Sequence, residues 1–139
     1  MNNYINYDWY RNDSYNQNYM NTNMLYKPQE GYEKGNIFKN LYNQYKNYQP
    51  AKLEPKNEKE QKLYELSAIC FAVHELNLYL DIHPENESMF MLFNDYQKEA
   101  NRLTEEYERL YGPLNIDSKE MMKEFTWDSD KWPWEGRYV

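Results

Sequence analysis

The sequence predicts an all-α protein: an antiparallel helical hairpin with an aromatic-rich extended N-terminal arm and a Trp-rich C-terminal tail. Two stretches, residues 58–80 and 86–111, repeat apolar residues at alternating spacings of three and four, as amphipathic helices do. The loop between them is short, which favours antiparallel packing. Residues 58–116 also hold 16 of the 24 Leu, Ile, Val and Phe residues. We therefore place the arm at residues 1–57 and the tail at residues 117–139.

The composition of the chain excludes several classes of protein. Its 139 residues allow one small domain. The net charge of −7 argues against a dedicated nucleic-acid-binding protein, which needs a basic surface to displace counterions. No apolar run approaches the roughly 18 residues of a membrane span, and residues 1–20 lack the apolar core of a secretion signal, so we expect neither. The lone Cys70 rules out an intrachain disulfide and a cysteine-based zinc site.

The N-terminal arm is rich in tyrosine and poor in aliphatic residues. Residues 1–57 contain ten Tyr but only six members of the Leu, Ile, Val and Phe set, so we expect this arm to be mostly irregular. Three interpretations of this arm are open: a disordered tail, an arm that orders on a partner, or an arm that is cross-linked through its tyrosines. Tyrosine offers a large contact area at low entropic cost, which favours the second interpretation, with Tyr42 and Tyr45 among the contact residues.

The first helix is expected to run from about Glu58 to about Leu80. Asn57 is a suitable N-cap, and Glu60 follows three residues later in the capping-box position. Pro84 disfavours helix at the residue before it and ends the pattern. The predicted core stripe of this helix consists of Leu63, Leu66, Cys70, Val73, Asn77 and Leu80, widened by Ile69 and Leu76.

The second helix is expected to run from near Asn86 to about Tyr111. Gly112 and Pro113 form a glycine C-cap followed by a stop proline. The apolar positions keep regular spacing throughout, which predicts one continuous face toward the first helix. These positions are Met89, Phe93, Tyr96, Ala100, Leu103, Tyr107 and Leu110.

The first helix carries a second apolar face, formed by Tyr64, Phe71, Leu78 and Ile82. These residues lie more than about 100° around the helix from the core stripe, and one antiparallel neighbour covers only one such face. The tail, the N-terminal arm or another protein must therefore lie on the second face. We interpret it as a partner-binding surface; the alternative is cover by residues 114–139 of the same chain.

The tail brings three tryptophans into a short polar stretch. Trp127, Trp132 and Trp134 fall within eight residues around Pro133. The stretch is too polar for a strand, so we expect it to lie extended with its indoles on an apolar groove. The three tryptophans join the predicted contact surface.

No constellation of residues predicts catalysis or metal binding. His74 and His83 are the only histidines, and neither stands at a metal-ligand spacing from a carboxylate. Cys70 lies in the predicted core stripe, where a thiol is an inert small hydrophobe. Four glycines provide no phosphate loop and no nucleophile elbow. We expect no enzymatic activity, no cofactor and no metal site.

Four short motifs resemble the CotJB family of spore coat proteins from spore-forming Firmicutes. They are residues 75–84 (ELNLYLDIHP), 93–96 (FNDY), 107–114 (YERLYGPL) and 132–135 (WPWE). The resemblance covers about residues 58–136. Upstream, residues 34–50 are similar to the aromatic segment of the companion coat protein CotJA, although Lys39 and Gln44 stand where that segment has prolines.

The resemblance implies a structural, non-catalytic component of the endospore coat, made in the mother cell and deposited on the forespore. The implied partners are a CotJA-like protein and CotJC, a coat protein that resembles manganese catalases. Any manganese would belong to that partner, and the family supplies no catalytic residues to carry over. An adaptor or chaperone for the catalase-like protein, absent from the finished coat, is the alternative. The sequence leaves homo-oligomerisation open.

Overall fold

The computed structural model describes residues 24–41, 46–50, 52–118 and 124. Within these ranges the protein is helical, and its long helices lie antiparallel, since Lys62 near the start of one contacts Glu106 near the end of the other. The predicted all-α hairpin is confirmed. The helices of the described ranges are α1 (Pro28–Lys34), α2 (Glu58–Ile82) and α3 (Glu87–Tyr111).

The ends of α2 and α3 follow from local capping chemistry. The Asn57 side chain accepts a hydrogen bond from the Glu60 backbone N–H at 2.9 Å, as predicted. Asn86 caps α3 in the same way, accepting from the Met89 N–H at 3.2 Å. Gly112 ends α3 with a φ of 99°, a conformation that favours glycine. The hairpin loop is therefore short, and both helices span 25 residues.

The core forms mainly between α2 and α3, but α2 is buried over a wider arc than the predicted stripe. Leu63, Cys70 and Asn77 are exposed, so half of that stripe is wrong. The buried arc instead includes Ala68 and Ala72, because α1 packs on α2 from another side and shifts the buried surface toward the space between its two neighbours. The apolar core residues of the long helices are Leu66, Ile69, Ala72, Leu76, Met89, Leu92, Tyr96, Ala100 and Tyr107.

Residues 24–41, called here the N-terminal segment, fold into a loop, a helix and a second loop. The Tyr26 N–H donates to the Ile37 carbonyl at 2.8 Å, and the Lys39 N–H donates to the Met24 carbonyl at 2.9 Å. These bonds join the two loops around α1, with an isolated antiparallel bridge between Leu25 and Phe38. Within the arm that the sequence predicts to be mostly irregular, this segment contains the seven-residue helix α1 and packs on α2.

One close approach holds the N-terminal segment together. Gly31 lies inside α1, and a Cβ atom at this position would stand 2.6 Å from Cγ2 of Ile37 and 3.1 Å from its Cα. Ile37 is only 1 % exposed and belongs to the same core as the hairpin. The missing side chain at Gly31 is therefore what lets the second loop close against α1.

The chain after α3 turns back onto the helix through a buried carboxylate. Glu108 accepts hydrogen bonds from the Leu114 N–H at 3.1 Å and from the Ser118 hydroxyl at 2.7 Å. Both oxygens of this buried side chain are thus satisfied, as burial of a charged group requires. In the described ranges, no helix has both the length and the apolar run that crossing a lipid bilayer requires.

Candidate functional site

The second face of α2 (Tyr64, Phe71, Leu78 and Ile82) is divided into a covered and an uncovered half. Spacings of seven residues place Tyr64, Phe71 and Leu78 in one row along the helix, and Ile82 lies one turn beyond. The N-terminal segment lies on the first two residues only. The row that the sequence indicates as one surface is therefore two surfaces in the structure.

The covered half is held by aromatic contacts and one hydrogen bond. The ring of Tyr32 in α1 lies 6.1 Å from the ring of Tyr64 and 5.8 Å from that of Phe71, both at tilted angles that suit aromatic pairs. The Tyr64 hydroxyl donates to Oε1 of Glu33 at 3.1 Å. Burial, together with this hydrogen bond, raises the pKa of Tyr64 to about 12. Tyr64 and Phe71 thus contribute to folding in this chain.

A stack of three rings marks the boundary between the halves. Phe38 of the N-terminal segment stacks on Tyr79, with ring centroids 4.9 Å apart, and Tyr79 contacts His83 at 4.5 Å. The Tyr79 hydroxyl also accepts a hydrogen bond from the Asn86 side chain at 3.2 Å. These contacts tie the N-terminal segment to the hairpin loop beside the second face.

The uncovered half consists of Leu78 and Ile82, which are 47 % and 75 % exposed. An isolated exposed leucine is ordinary on a protein surface, but these residues share one end of the molecule. This half alone remains available to a partner.

Acidic residues lie close in the sequence to the uncovered half. No Lys or Arg occurs between residues 63 and 97, whereas six Asp or Glu residues do. Glu75 lies on the same face of α2 between Phe71 and Leu78, and Asp81 precedes Ile82. Among the described residues, the acids near the hairpin loop pair with no Lys or Arg, and the one ion-pair contact joins Glu85 to Nδ1 of His83 at 3.8 Å. These acids are Glu75, Asp81, Glu85 and Glu87.

Two carboxylates farther from the hairpin loop, those of Glu99 and Glu106, are different, because they are paired. Glu106 lies 2.6 Å from Nζ of Lys62 across the helix seam and 3.0 Å from a guanidinium nitrogen of Arg102. The hydrogen bond from Lys62 is the main cause that holds the pKa of Glu106 below its usual value. Arg102 also contacts Glu99 at 2.7 Å. Glu99 and Glu106 therefore have basic partners, and Glu106 joins the two long helices.

The described residues offer little for catalysis. They contain no group of three His, Cys, Asp or Glu side chains arranged to hold a metal ion. Cys70 is exposed, so its predicted place in the core stripe is wrong. Partial desolvation raises the pKa of its thiol, which lowers the fraction present as reactive thiolate.

Five residues of the predicted contact surface lie outside the described ranges, namely Trp127, Trp132, Trp134, Tyr42 and Tyr45. The sequence named the N-terminal arm as one possible cover of the second face, but it predicted no helix within that arm. A local signal for α1 is present, since Pro28 stands at its start and Gly35 ends it with a φ of 72°. That pattern predicts a short helix but not where it docks.

A family model described as CotJB protein matches residues 60–135, more than half of the chain. The match begins within α2 and includes α3, the hairpin loop and the tryptophans of the tail. The N-terminal segment lies outside it. No curated protein and no solved structure matches the chain.

Proposed function

The chain belongs to the CotJB family of spore coat proteins, and from this membership we propose that it is a structural, non-catalytic assembly component of the bacterial endospore coat. It is made in the mother cell and bound into the coat through contacts with other coat proteins. The family gives the role in the coat, while the surface of the hairpin supports the mode of action.

The observation that carries the proposal is the uncovered half of the second face. Leu78 and Ile82 are exposed on a rigid hairpin, although neighbouring apolar residues of the same row are covered. Full burial of an exposed side chain of this kind contributes roughly 1.5–3 kcal/mol, and Leu78, which is already half-buried, contributes less than Ile82. The partners we propose are a CotJA-like protein and the manganese-catalase-like CotJC. The tyrosines of the arm, including Tyr42 and Tyr45, and the tryptophans Trp127, Trp132 and Trp134 add further contacts.

The proposal is tested by co-purification with the catalase-like coat protein. The Leu78→Ser, Ile82→Ser double variant should lose most of the partner while keeping its helical circular dichroism spectrum, because both side chains are exposed. Ile116→Ser is the matched control, since Ile116 is fully exposed at the opposite end of the hairpin and should leave binding unchanged. Phe71 is unsuitable for this test because it contacts Tyr32. Unchanged binding by the folded double variant would refute this surface.

The alternative function is an adaptor or chaperone that stabilises the catalase-like partner and does not remain in the coat. The same apolar surface would serve it, so binding alone does not separate the two functions. Mass spectrometry of protein extracted from mature coats does. We expect the chain among the coat proteins; its restriction to the mother cell during assembly would favour the adaptor.

A further inference from the structure

We propose that the uncovered half of the second face docks a basic, apolar segment of a partner coat protein. This inference rests on the proposed function and names the chemistry of the partner at that site. The docking surface is defined by Leu78 and Ile82, and the acidic residues Glu75, Asp81, Glu85 and Glu87 lie near them in the sequence.

The apolar part of the surface sets the shape of the partner. Leu78 and Ile82 are one helical turn apart, so they present two adjacent apolar side chains along one face. A partner that covers them needs large apolar residues at a matching spacing. The Phe38–Tyr79 stack borders this surface, since Tyr79 lies next to Leu78 in the sequence and holds the N-terminal segment in place.

The charged part of the surface determines the sign of the charge that the partner segment must carry. In the described part of the chain, Glu75, Asp81 and Glu87 have no ion pair with Lys or Arg, in contrast to Glu106. Two bases of the N-terminal segment have a partner within that segment, because Nζ of Lys34 and of Lys39 lie over the ring of Tyr26 at 4.6 and 5.4 Å. A cationic segment would supply the missing charge, and complementary charge both speeds encounter and excludes wrong partners.

Taken as whole segments, the remaining parts of this chain do not have the required charge, although residues 131–139 alone carry two basic side chains and one acidic one. Residues 1–23 and residues 119–139 each contain one more acidic than basic side chain. A second copy would bring a chain of net charge −7 against an acidic surface. Like charges at close range oppose such contacts, so we assign the surface to a different, basic protein segment.

The experiment is photo-crosslinking in sporulating cells that express the full chain. Leu78 is replaced by the photoreactive residue p-benzoylphenylalanine, and the same replacement at Ile116 is the control. After irradiation, the peptides joined to position 78 are identified by mass spectrometry. We expect a segment of another protein that has more Lys and Arg than Asp and Glu and large apolar residues beside them. The control position should not capture this segment.

Charge neutralisation provides the second arm of the experiment. In the crosslinking chain, the combined changes Glu75→Gln, Asp81→Asn, Glu85→Gln and Glu87→Gln should lower the yield of that product about tenfold. Neutralising four exposed acids at the other end, Glu54, Glu58, Glu105 and Asp117, should leave the yield unchanged. Circular dichroism confirms that both variants remain helical.

Three results would overturn the docking proposal: capture of residues of this chain, of an acidic segment, or of nothing by a folded chain. A yield that responds equally to both sets of neutralisations would overturn it as well. These failures are distinct from failure of the proposed function. A basic partner captured in the mother cell, with the chain missing from the mature coat, would support the docking surface and refute the structural role.

Discussion

The two halves of the second face of α2 are both apolar but have different surroundings. Tyr64 and Phe71 lie against Tyr32 of α1, whereas Leu78 and Ile82 remain exposed. All four belong to the part of the chain that matches the CotJB family, while the N-terminal segment that covers the first two does not. A segment outside the matched region therefore covers half of the apolar face and leaves the other half exposed.

The largest effect on stability is expected from truncating the most buried side chain of the N-terminal segment. Ile37→Ala should lower the free energy of unfolding by about 2–4 kcal/mol, because it deletes three carbons from a side chain that packs in the shared core. Urea denaturation followed by circular dichroism measures the change. A loss below about 1 kcal/mol would indicate that the N-terminal segment contributes little to the stability of the folded protein. The covered and uncovered halves of the second face would then not differ as described.

The next largest effect is expected where Gly31 and Ile37 approach each other inside the N-terminal segment. Gly31→Ala places a methyl group within 2.6 Å of Ile37 and 3.1 Å of its backbone, so the loop must move. We expect a loss of about 1–3 kcal/mol by the same measurement, in spite of the higher helix propensity of alanine. Glu30→Ala is the control, because Glu30 is an exposed position of the same helix. Equal stability of the two variants would contradict the packing described for Gly31.

The parts of this structure that the sequence predicts are those decided by neighbouring residues. Asn57 and Gly112 end their helices through caps that involve residues within one turn, so pattern reasoning locates them. Whether Leu63 and Cys70 are buried or exposed is decided by where the neighbours of α2 pack, and the periodicity of the sequence does not reveal that. Ile37 and Tyr32 reach their partners only through the tertiary fold, because they contact residues far away in the sequence. The second apolar face of α2 was therefore predictable from the sequence, but its division into a covered and an uncovered half was not.

A smaller effect with a defined pH dependence is expected at the hydrogen bond between Tyr64 and Glu33. The folded pKa of Tyr64 is raised to about 12, above the value near 10 of a free tyrosine, so the folded state favours the neutral phenol. The contribution of the neutral Tyr64 hydroxyl to the free energy of unfolding is fully present below pH 10 and is lost as the pH rises toward 12. Tyr64→Phe should cost about 1 kcal/mol at pH 8 through the lost hydrogen bond.

Urea denaturation of the wild type and Tyr64→Phe at several pH values tests this dependence. The stability difference between the two proteins should shrink between pH 10 and 12. Tyr48→Phe serves as a control, since the Tyr48 hydroxyl donates to the Lys34 carbonyl from an exposed position. A difference that stays constant across this range would show that the neutral hydroxyl of Tyr64 is not what holds α1 on the helix.

The smallest effect is expected in the uncovered half, with the same substitution used in the cover. Ile82→Ala removes as many carbons as Ile37→Ala, but Ile82 is 75 % exposed at the last residue of α2, so little packing is lost. Alanine also has the higher helix propensity, which offsets part of that loss. The free energy of unfolding should change by less than about 0.5 kcal/mol. If Ile82→Ala instead approached the effect of Ile37→Ala, the second half of the face would be part of the folded core, and a partner would have no apolar surface to cover there.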